Sequence, residues 1–248
     1  TVSGSGAIAV NGADTEDLSI SETDLLLIDT LTAHADEDIA VTAATQANLS
    51  GNIAKLTVSG SGEIAVTGNA GQNLSISKTD VDAITSLTAA NNQNITLTAA
   101  TSAALTNDVA QLNVSGTGTI SVAGASGQSF SLTASALDSY AAFEATGNGN
   151  LTITAATAAD LSTDINKLTV ASGTIAISGA DGQTLSISET DLLKIDTLTA
   201  DADDDITVTA ATQANLSGDI AKLTVSGSGA IAVNGADTED LSISETDL

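Results

Sequence analysis

The 248-residue chain contains no cysteine, proline, methionine, tryptophan or arginine, and its only aromatic residues are Phe130, Tyr140 and Phe143. Without cysteine there is no disulfide framework and no thiolate site for zinc or an iron–sulfur cluster. A wide globular interior is normally closed by large aromatic and methionine side chains, so their scarcity points to a thin core, two sheets deep, that aliphatic residues can fill. No run of 18 apolar residues occurs, so no membrane-spanning helix is expected. Positive charge is almost as scarce: five lysines face 31 acidic residues, a net charge of −26. That balance repels phosphate, so neither nucleic acid nor an anionic membrane face is expected as a partner. Yet hydrophobic residues make up 42% of the chain, far too many for a disordered acidic tail.

What the chain does have is repetition. Residues Thr1–Leu25 recur identically as Thr224–Leu248. Between them the motif L-[TN]-V begins at Leu56, Leu112, Leu168 and Leu223. The tetrapeptide TAAT occurs once per interval, at Thr42–Thr45, Thr98–Thr101, Thr154–Thr157 and Thr209–Thr212. We therefore read 1–248 as a single repetitive segment of about 56-residue units, with repeats 1–55, 56–111, 112–167 and 168–222. Residues 223–248 begin a fifth, in phase with the first. Segments Leu26–Lys55 and Leu193–Lys222 differ at five of 30 positions, so the first and fourth repeats are near copies. The returning start suggests one period of a longer repeating chain.

Within a repeat the hydrophobic period is two. Leu56-Thr-Val58, Ile64-Ala-Val66, Leu74-Ser-Ile76 and Ile95-Thr-Leu97 each place two aliphatics on one face and a small residue on the other, the pattern of a short half-buried strand. Turn-formers such as SGSG and AANNQN separate them. Two stretches break the rhythm. SKTDVDAITSL and TSAALTNDVAQL space their apolar residues by three and four behind Ser, Thr or Asp, which predicts short helical turns at corners. A module this small cannot bury its own apolar face, but it can when stacked on its copies. The expected fold is all-β: a parallel β-solenoid with two coils per repeat, of about 31 and 25 residues. The three aromatics fall at positions that are Leu or Ile in other repeats, and read as core fillers. In TAAT the alanines read as inward-facing.

The acidic clusters are the leading candidate site. Asp36, Glu37 and Asp38, and Asp201, Asp203, Asp204 and Asp205, are carboxylates crowded into a turn. Hard cations such as calcium take six to eight oxygens from flexible loops of this kind. Set against this, the corresponding turns Asn91–Asn94 and Gly147–Asn150 carry no charge, and a polyanionic surface also keeps a filament soluble. The acids recur with the repeat instead of forming one unique constellation, and the lone His34 has no evident partners. No catalytic residue and no enzymatic activity are expected. The lysines Lys55, Lys167 and Lys222 at repeat ends read as partners for nearby acids.

Runs such as LNVSGTGTISVAG (Leu112–Gly124), NITLTAATSAALTNDVAQLNV (Asn94–Val114) and KLTVASGTIAISG (Lys167–Gly179) resemble the β-solenoid regions of bacterial S-layer proteins and large type-I-secreted surface adhesins. The resemblance covers the whole chain through composition and rhythm. It implies an extracellular, surface-associated structural protein, often stabilised by calcium. The expected role is a component of a filament, sheath or surface layer that self-associates end to end or laterally. An adhesin stalk or ligand-binding module that presents another domain is the alternative.

Overall fold

The computed structural model describes residues 7–243. The chain forms two compact units, residues 1–123 and 124–248. In the first, the elements are β1 (Ala9–Asn11), β2 (Leu18–Ser21), α1 (Glu22–Leu25), β3 (Thr30–Ala33), β4 (Ile39–Ala44), α2 (Leu49–Ile53) and β5 (Leu56–Val58). They continue with β6 (Ile64–Gly68), β7 (Leu74–Ser77), α3 (Lys78–Val81), β8 (Ser86–Thr88), β9 (Ile95–Ala100), α4 (Leu105–Ala110) and β10 (Leu112–Asn113). Strand β11 (Ile120–Gly124) spans the division between units. The second unit carries β12 (Phe130–Thr133), α5 (Ala134–Leu137), β13 (Ala142–Ala145), β14 (Leu151–Ala156), α6 (Leu161–Lys167), β15 (Leu168–Val170) and β16 (Ile175–Gly179). Its remaining elements are β17 (Leu185–Ser188), α7 (Glu189–Leu192), β18 (Thr197–Ala200), β19 (Ile206–Ala211), α8 (Leu216–Ile220), β20 (Leu223–Val225) and β21 (Ile231–Gly235).

The strands pair in parallel, each with the strand two along in sequence. In the first unit β1–β3–β5 form one sheet and β2–β4–β6–β8–β10 another, while β7 pairs with β9. In the second unit the sets are β12–β14–β16–β18–β20, β13–β15 and β17–β19–β21. The mostly parallel, all-β character expected from the two-residue period is therefore present. The division of the repeat differs from the expected one. Leu18 stacks on Ile39, Ile39 on Ile64, Ala65 on Ser86 and Leu87 on Leu112, which makes pairing steps of 21 and 25 residues, not 31 and 25. The second, third and fourth repeats hold five strands each (β5–β9, β10–β14 and β15–β19), an odd number, so one repeat is two and a half steps instead of two. Equivalent strands of successive repeats consequently join different sheets: β5 ends one and β10 another, as do β15 and β20. The single residue by which the fourth repeat is short lies between β14 and β16, where Leu151 stacks on Ile175.

Alternation is realised side chain by side chain. In β4, Ile39 and Val41 are buried and Ala40 is half-buried; β9, β14 and β19 repeat the pattern. The TAAT segment resolves into two kinds of alanine. Ala44, Ala100, Ala156 and Ala211 are fully buried. Their predecessors Ala43, Ala99, Ala155 and Ala210 lie in the left-handed region with φ between 54° and 56°, a bulge at which the register shifts. The extra residue lets the second alanine return to the core side. In the third repeat Phe143 meets the rings of Phe130 and Tyr140 edge-on at 5.0 and 5.4 Å, all three buried. The larger Phe130 is accommodated by Gly124, where a Cβ would come within 2.4 Å of its ring.

The expected corner turns are short helices. α1, α3, α5 and α7 are each capped by a Ser or Thr hydroxyl that accepts from the backbone N–H three residues on: Ser21 from Asp24, Ser77 from Asp80, Thr133 from Ala136 and Ser188 from Asp191. Except in α5, the aspartate at that position accepts the hydroxyl hydrogen in return. Among the described residues, no helix is long and apolar enough to cross a membrane. The expected equivalence of 1–25 with 224–248 falls partly on residues 1–6 and 244–248, outside the described residues. Within them, Ile8–Gly12 and Ile231–Gly235 share one sequence, and both contain a strand.

From the second repeat onward, glycines stand where two backbones come close. A Cβ on Gly62 would stand 2.1 Å from the carbonyl oxygen of Glu37, and one on Gly118 2.4 Å from that of Gln93; Gly173 and Gly229 meet Gly149 and Asp204 in the same way. The obstructing atom is backbone, so it cannot swing aside. Gly118→Ala is expected to destabilise the first unit by about 2 kcal/mol, read as a lower urea midpoint at unchanged slope.

Candidate functional site

The acidic turns lie immediately before β4 and β19, where one pairing step passes to the next. Their carboxylates are used as hydrogen-bond acceptors. Asp38 Oδ1 accepts from the backbone N–H of Glu63 at 2.8 Å, and Asp36 Oδ1 accepts from Ser61 Oγ at 2.6 Å. In the fourth repeat Asp205 Oδ1 accepts from the N–H of Ala230 at 2.7 Å, and Asp203 Oδ1 from both the hydroxyl and the N–H of Ser228. Asp204 Oδ2 takes the N–H of Gln183 at 3.0 Å, and Asp201 Oδ1 takes that of Ala202 at 2.8 Å. The hydroxyl and N–H of Ser228 hold the Asp203 carboxyl below its ordinary range. Glu37 contributes through its backbone: its N–H donates to His34 and its carbonyl faces Gly62.

The uncharged turns make the same bonds. Asn94 Oδ1 accepts from the N–H and hydroxyl of Thr119 at 2.9 and 3.0 Å, and Asn150 Oδ1 accepts from the N–H of Thr174 at 2.9 Å. The ladder extends backwards as well. The N–H groups of Asp38, Asn94 and Asn150 donate to Asp17, Asn73 and Ser129, 21 residues earlier. What this position supplies in every repeat is an oxygen aimed at the next step's N–H, and Asn serves as well as Asp. The candidate calcium residues are thus distributed along a stacking ladder and are not drawn together around one point. Among the described residues, no group of three or more His, Asp or Glu is arranged to hold a metal ion. His34 is exposed and contacts Asp14 at 2.6 Å through Nδ1.

The lysines differ from expectation. Lys55 and Lys222 donate to the carbonyls of Leu25 and Leu192 at 2.9 and 2.8 Å, closing the ends of α1 and α7 thirty residues earlier. Gln111 donates instead to the carbonyl of Ile84, three residues beyond the end of α3. Only Lys167 adds acid partners, Asp138 at 3.2 Å and Asp164 at 3.3 Å, besides reaching the Leu137 carbonyl. A carbonyl at a helix end carries partial negative charge, and in an aliphatic surround it needs a donor as much as a carboxylate does.

A second polar position recurs in the interior, once per repeat. Asn52, Asp108, Asp164 and Asp219 occupy one position of α2, α4, α6 and α8, and all are buried. Thirty residues earlier, at the start of α1, α3, α5 and α7, stand Glu22, Lys78, Ala134 and Glu189. Lys78 approaches Asp108 to 3.8 Å. Burial pushes the carboxyls of Asp108 and Asp164 up, against the pull of Lys78 and Lys167 respectively. Glu22 accepts from Thr45 through both backbone and hydroxyl and from Asn48 Nδ2 at 2.5 Å. Glu189 accepts from Thr212 N–H at 3.1 Å and from its hydroxyl at 2.7 Å. Burial opposes the charge on Glu189, but these hydrogen bonds hold its carboxyl below the ordinary range. In the sequence these residues carry no mark of burial, because an Asp beside Val or Ile in a helical turn looks solvent-facing. Aligning the repeats would have shown carboxylates at one spacing from the buried Leu105, Leu161 and Leu216.

Three outcomes are expected. Asp205→Asn should leave the melting temperature unchanged, whereas Asn94→Ala, which removes the acceptor, should cost about 1 kcal/mol, both read by thermal unfolding. Lys167→Met should cost about 3 kcal/mol at pH 7 by leaving the Asp164 charge unpaired. That penalty should shrink as the pH falls and Asp164 takes up a proton, which a series of urea titrations at decreasing pH would show. No family model, curated protein or solved structure was found to match the chain.

Proposed function

We propose that the chain is a structural segment of an extracellular, cell-surface protein: a parallel β-solenoid that forms or contributes to a filament, sheath or surface layer and carries no catalytic activity. The observation that supports this reading most directly is the ladder of Asp38, Asn94, Asn150 and Asp205, whose side chains each complete the N–H of the following step. Side chains committed in this way to the turn 24 or 25 residues further along serve propagation along a stack, since each step offers the acceptors that the next one needs. Among the described residues β20 and β21 each stand last in their sheet, and a strand edge in that place templates a further strand in the same manner. The acidic loops keep a long stack soluble and separate it from its neighbours.

Calcium belongs to this proposal as a cross-linker of the exposed acids: excess carboxylate oxygens on Asp36, Glu37, Asp38, Asp201, Asp203, Asp204 and Asp205 would be shared between adjacent stacks. The alternative role, a stalk that spaces a tip domain from a cell surface, uses the same architecture. Negative-stain images of the native material distinguish the two. Continuous filaments or sheets are expected, and isolated rods ending in a separate domain would replace the filament reading with the stalk. For calcium, EGTA is expected to loosen lateral bundling; a bundle and a melting temperature both unchanged by EGTA would remove calcium from the proposal.

A further inference from the structure

Of the four pairs of positions thirty residues apart, Glu189 at the start of α7 and Asp219 in α8 are the one in which both members are carboxylates. Glu189 is 7% exposed and Asp219 1%. No N–H or O–H group among the described residues donates to either oxygen of Asp219. The same two positions in the second repeat bring Lys78 within 3.8 Å of Asp108, which sets the Asp219 carboxyl beside that of Glu189, whose charge acts on it. Two bare carboxylates have only acceptors to offer one another, so a hydrogen bond between them requires a proton.

We propose that Glu189 and Asp219 bind one proton between them, a buried carboxyl–carboxylate site that ties α7 to α8 in mildly acidic solution and is broken as the pH rises. The chain supplies its own comparison. Leu26–Lys55 and Leu193–Lys222 differ at five positions, and one of them is Asn52 in place of Asp219. Asparagine has nearly the shape of a protonated aspartic acid and no charge, so the first repeat holds permanently, thirty residues after Glu22, the neutral state that the fourth reaches by taking up a proton, although the Asn52 amide itself makes no hydrogen bond among the described residues. The second repeat relieves the same buried Asp with Lys78, and the third places Ala134 opposite it and brings in Lys167.

The other charges near the pair are already engaged. Asp191, on α7, accepts from Ser162 at 2.8 Å and pairs with Lys194 at 2.8 Å. Lys222, just after α8, draws the Asp219 carboxyl down, but its Nζ donates to the Leu192 carbonyl. On α6, which packs against α7, Asp164 and Lys167 face each other. The sheet strands against α7, β17 and β19, bring only Ser, Thr and aliphatic side chains. Burial first, and the charge of Glu189 second, push the Asp219 carboxyl up to about 6. A hard cation in place of the proton would need six or more oxygens, and Thr212 already donates twice to Glu189.

The direction of the effect follows from linkage. The folded chain binds this proton more tightly than the unfolded chain, so the stabilisation is full below the ordinary value of 3.8 and is lost as the pH rises through about 6. The test is a carboxyl-carbon NMR titration of the full chain together with thermal unfolding between about pH 5 and about pH 7.5. Asp219 is expected to titrate near 6, with a melting temperature that falls by at least about 3 °C across that range. Asp219→Asn should remove the decline and melt higher than the parent at the alkaline end. Glu189→Lys, which recreates the second repeat's pair, should return the Asp219 titration to the ordinary carboxylate range or below it. An Asp219 that titrates in the ordinary range in the parent chain would overturn the proposal, as would an Asp219→Asn chain with the parent's pH slope. Calcium that raised the melting temperature of the parent at about pH 7.5, but not that of Asp219→Asn, would make the pair a cation site and overturn the shared proton.

Discussion

Parallel strands about 4.8 Å apart place every residue beside its counterpart one pairing step along the chain, and that proximity decides what each position can be. Where backbones come closest, as at Gly62 over Glu37 and Gly118 over Gln93, a side chain has no room. Where an N–H arrives from the next step, an oxygen must meet it, and Asp38, Asn94, Asn150 and Asp205 provide one. Where the chain turns back toward the core after TAAT, an extra residue has to be taken up. An alanine forced into the left-handed region accepts that strain. These are not separate stabilising devices. Each is a consequence of stacking unlike turns on a common strand spacing.

The same spacing separates the exposed charges from the buried ones. Asp17, Asp38 and Glu63 follow one another up a single column, and at the surface such a run is tolerable because water screens it and the first two carboxylates receive the next step's N–H. In the interior a like-charge contact is far more costly, and the four repeats resolve it differently: an amide opposite Glu22, a lysine opposite Asp108, an alanine with Lys167 beside Asp164, and a second carboxyl opposite Asp219. Repeats that are near copies in sequence are therefore not equivalent in electrostatics. A substitution that is neutral in one repeat can be costly in the next.

Much of the fold was legible in the sequence, and the reason lies in periodicity. Leu56-Thr-Val58 and its relatives have a two-residue rhythm that only a strand satisfies, and Ser77 ahead of Asp80 has the spacing of a helix cap. Which sheet a strand joins was not legible. Alternation locates a strand without fixing its partner, and the partner depends on how many residues each turn and bulge consumes. That is why steps of 21 and 25 replaced an expected 31 and 25. Nothing in the residue type marks Ala155 as left-handed, since alanine is an ordinary strand or helix residue elsewhere. Lys55 and Lys222 looked like partners for acids because acids abound. The carbonyls of Leu25 and Leu192, invisible in a string of letters, were the nearer acceptors. The acidic turns were seen, but their use as acceptors became clear only when Asn94 proved to make the bond that Asp38 makes.

That equivalence of Asn and Asp separates the chain's charge from its fold. Nine acids fall in the first repeat and nine in the fourth, against four in each of the middle two, yet the described parts of all four repeats build the same succession of strands and short helices. If the ladder required charge, the middle repeats would need other means of stacking, and they use none. The net charge of −26 can therefore vary with the needs of solubility and spacing without disturbing the backbone. Stability should respond to pH through the few carboxyls that the fold has removed from water. Asp108 and Asp164 are buffered by a nearby lysine. Asp219 is opposed by Glu189, and it is there that a shift in proton concentration meets the least compensation.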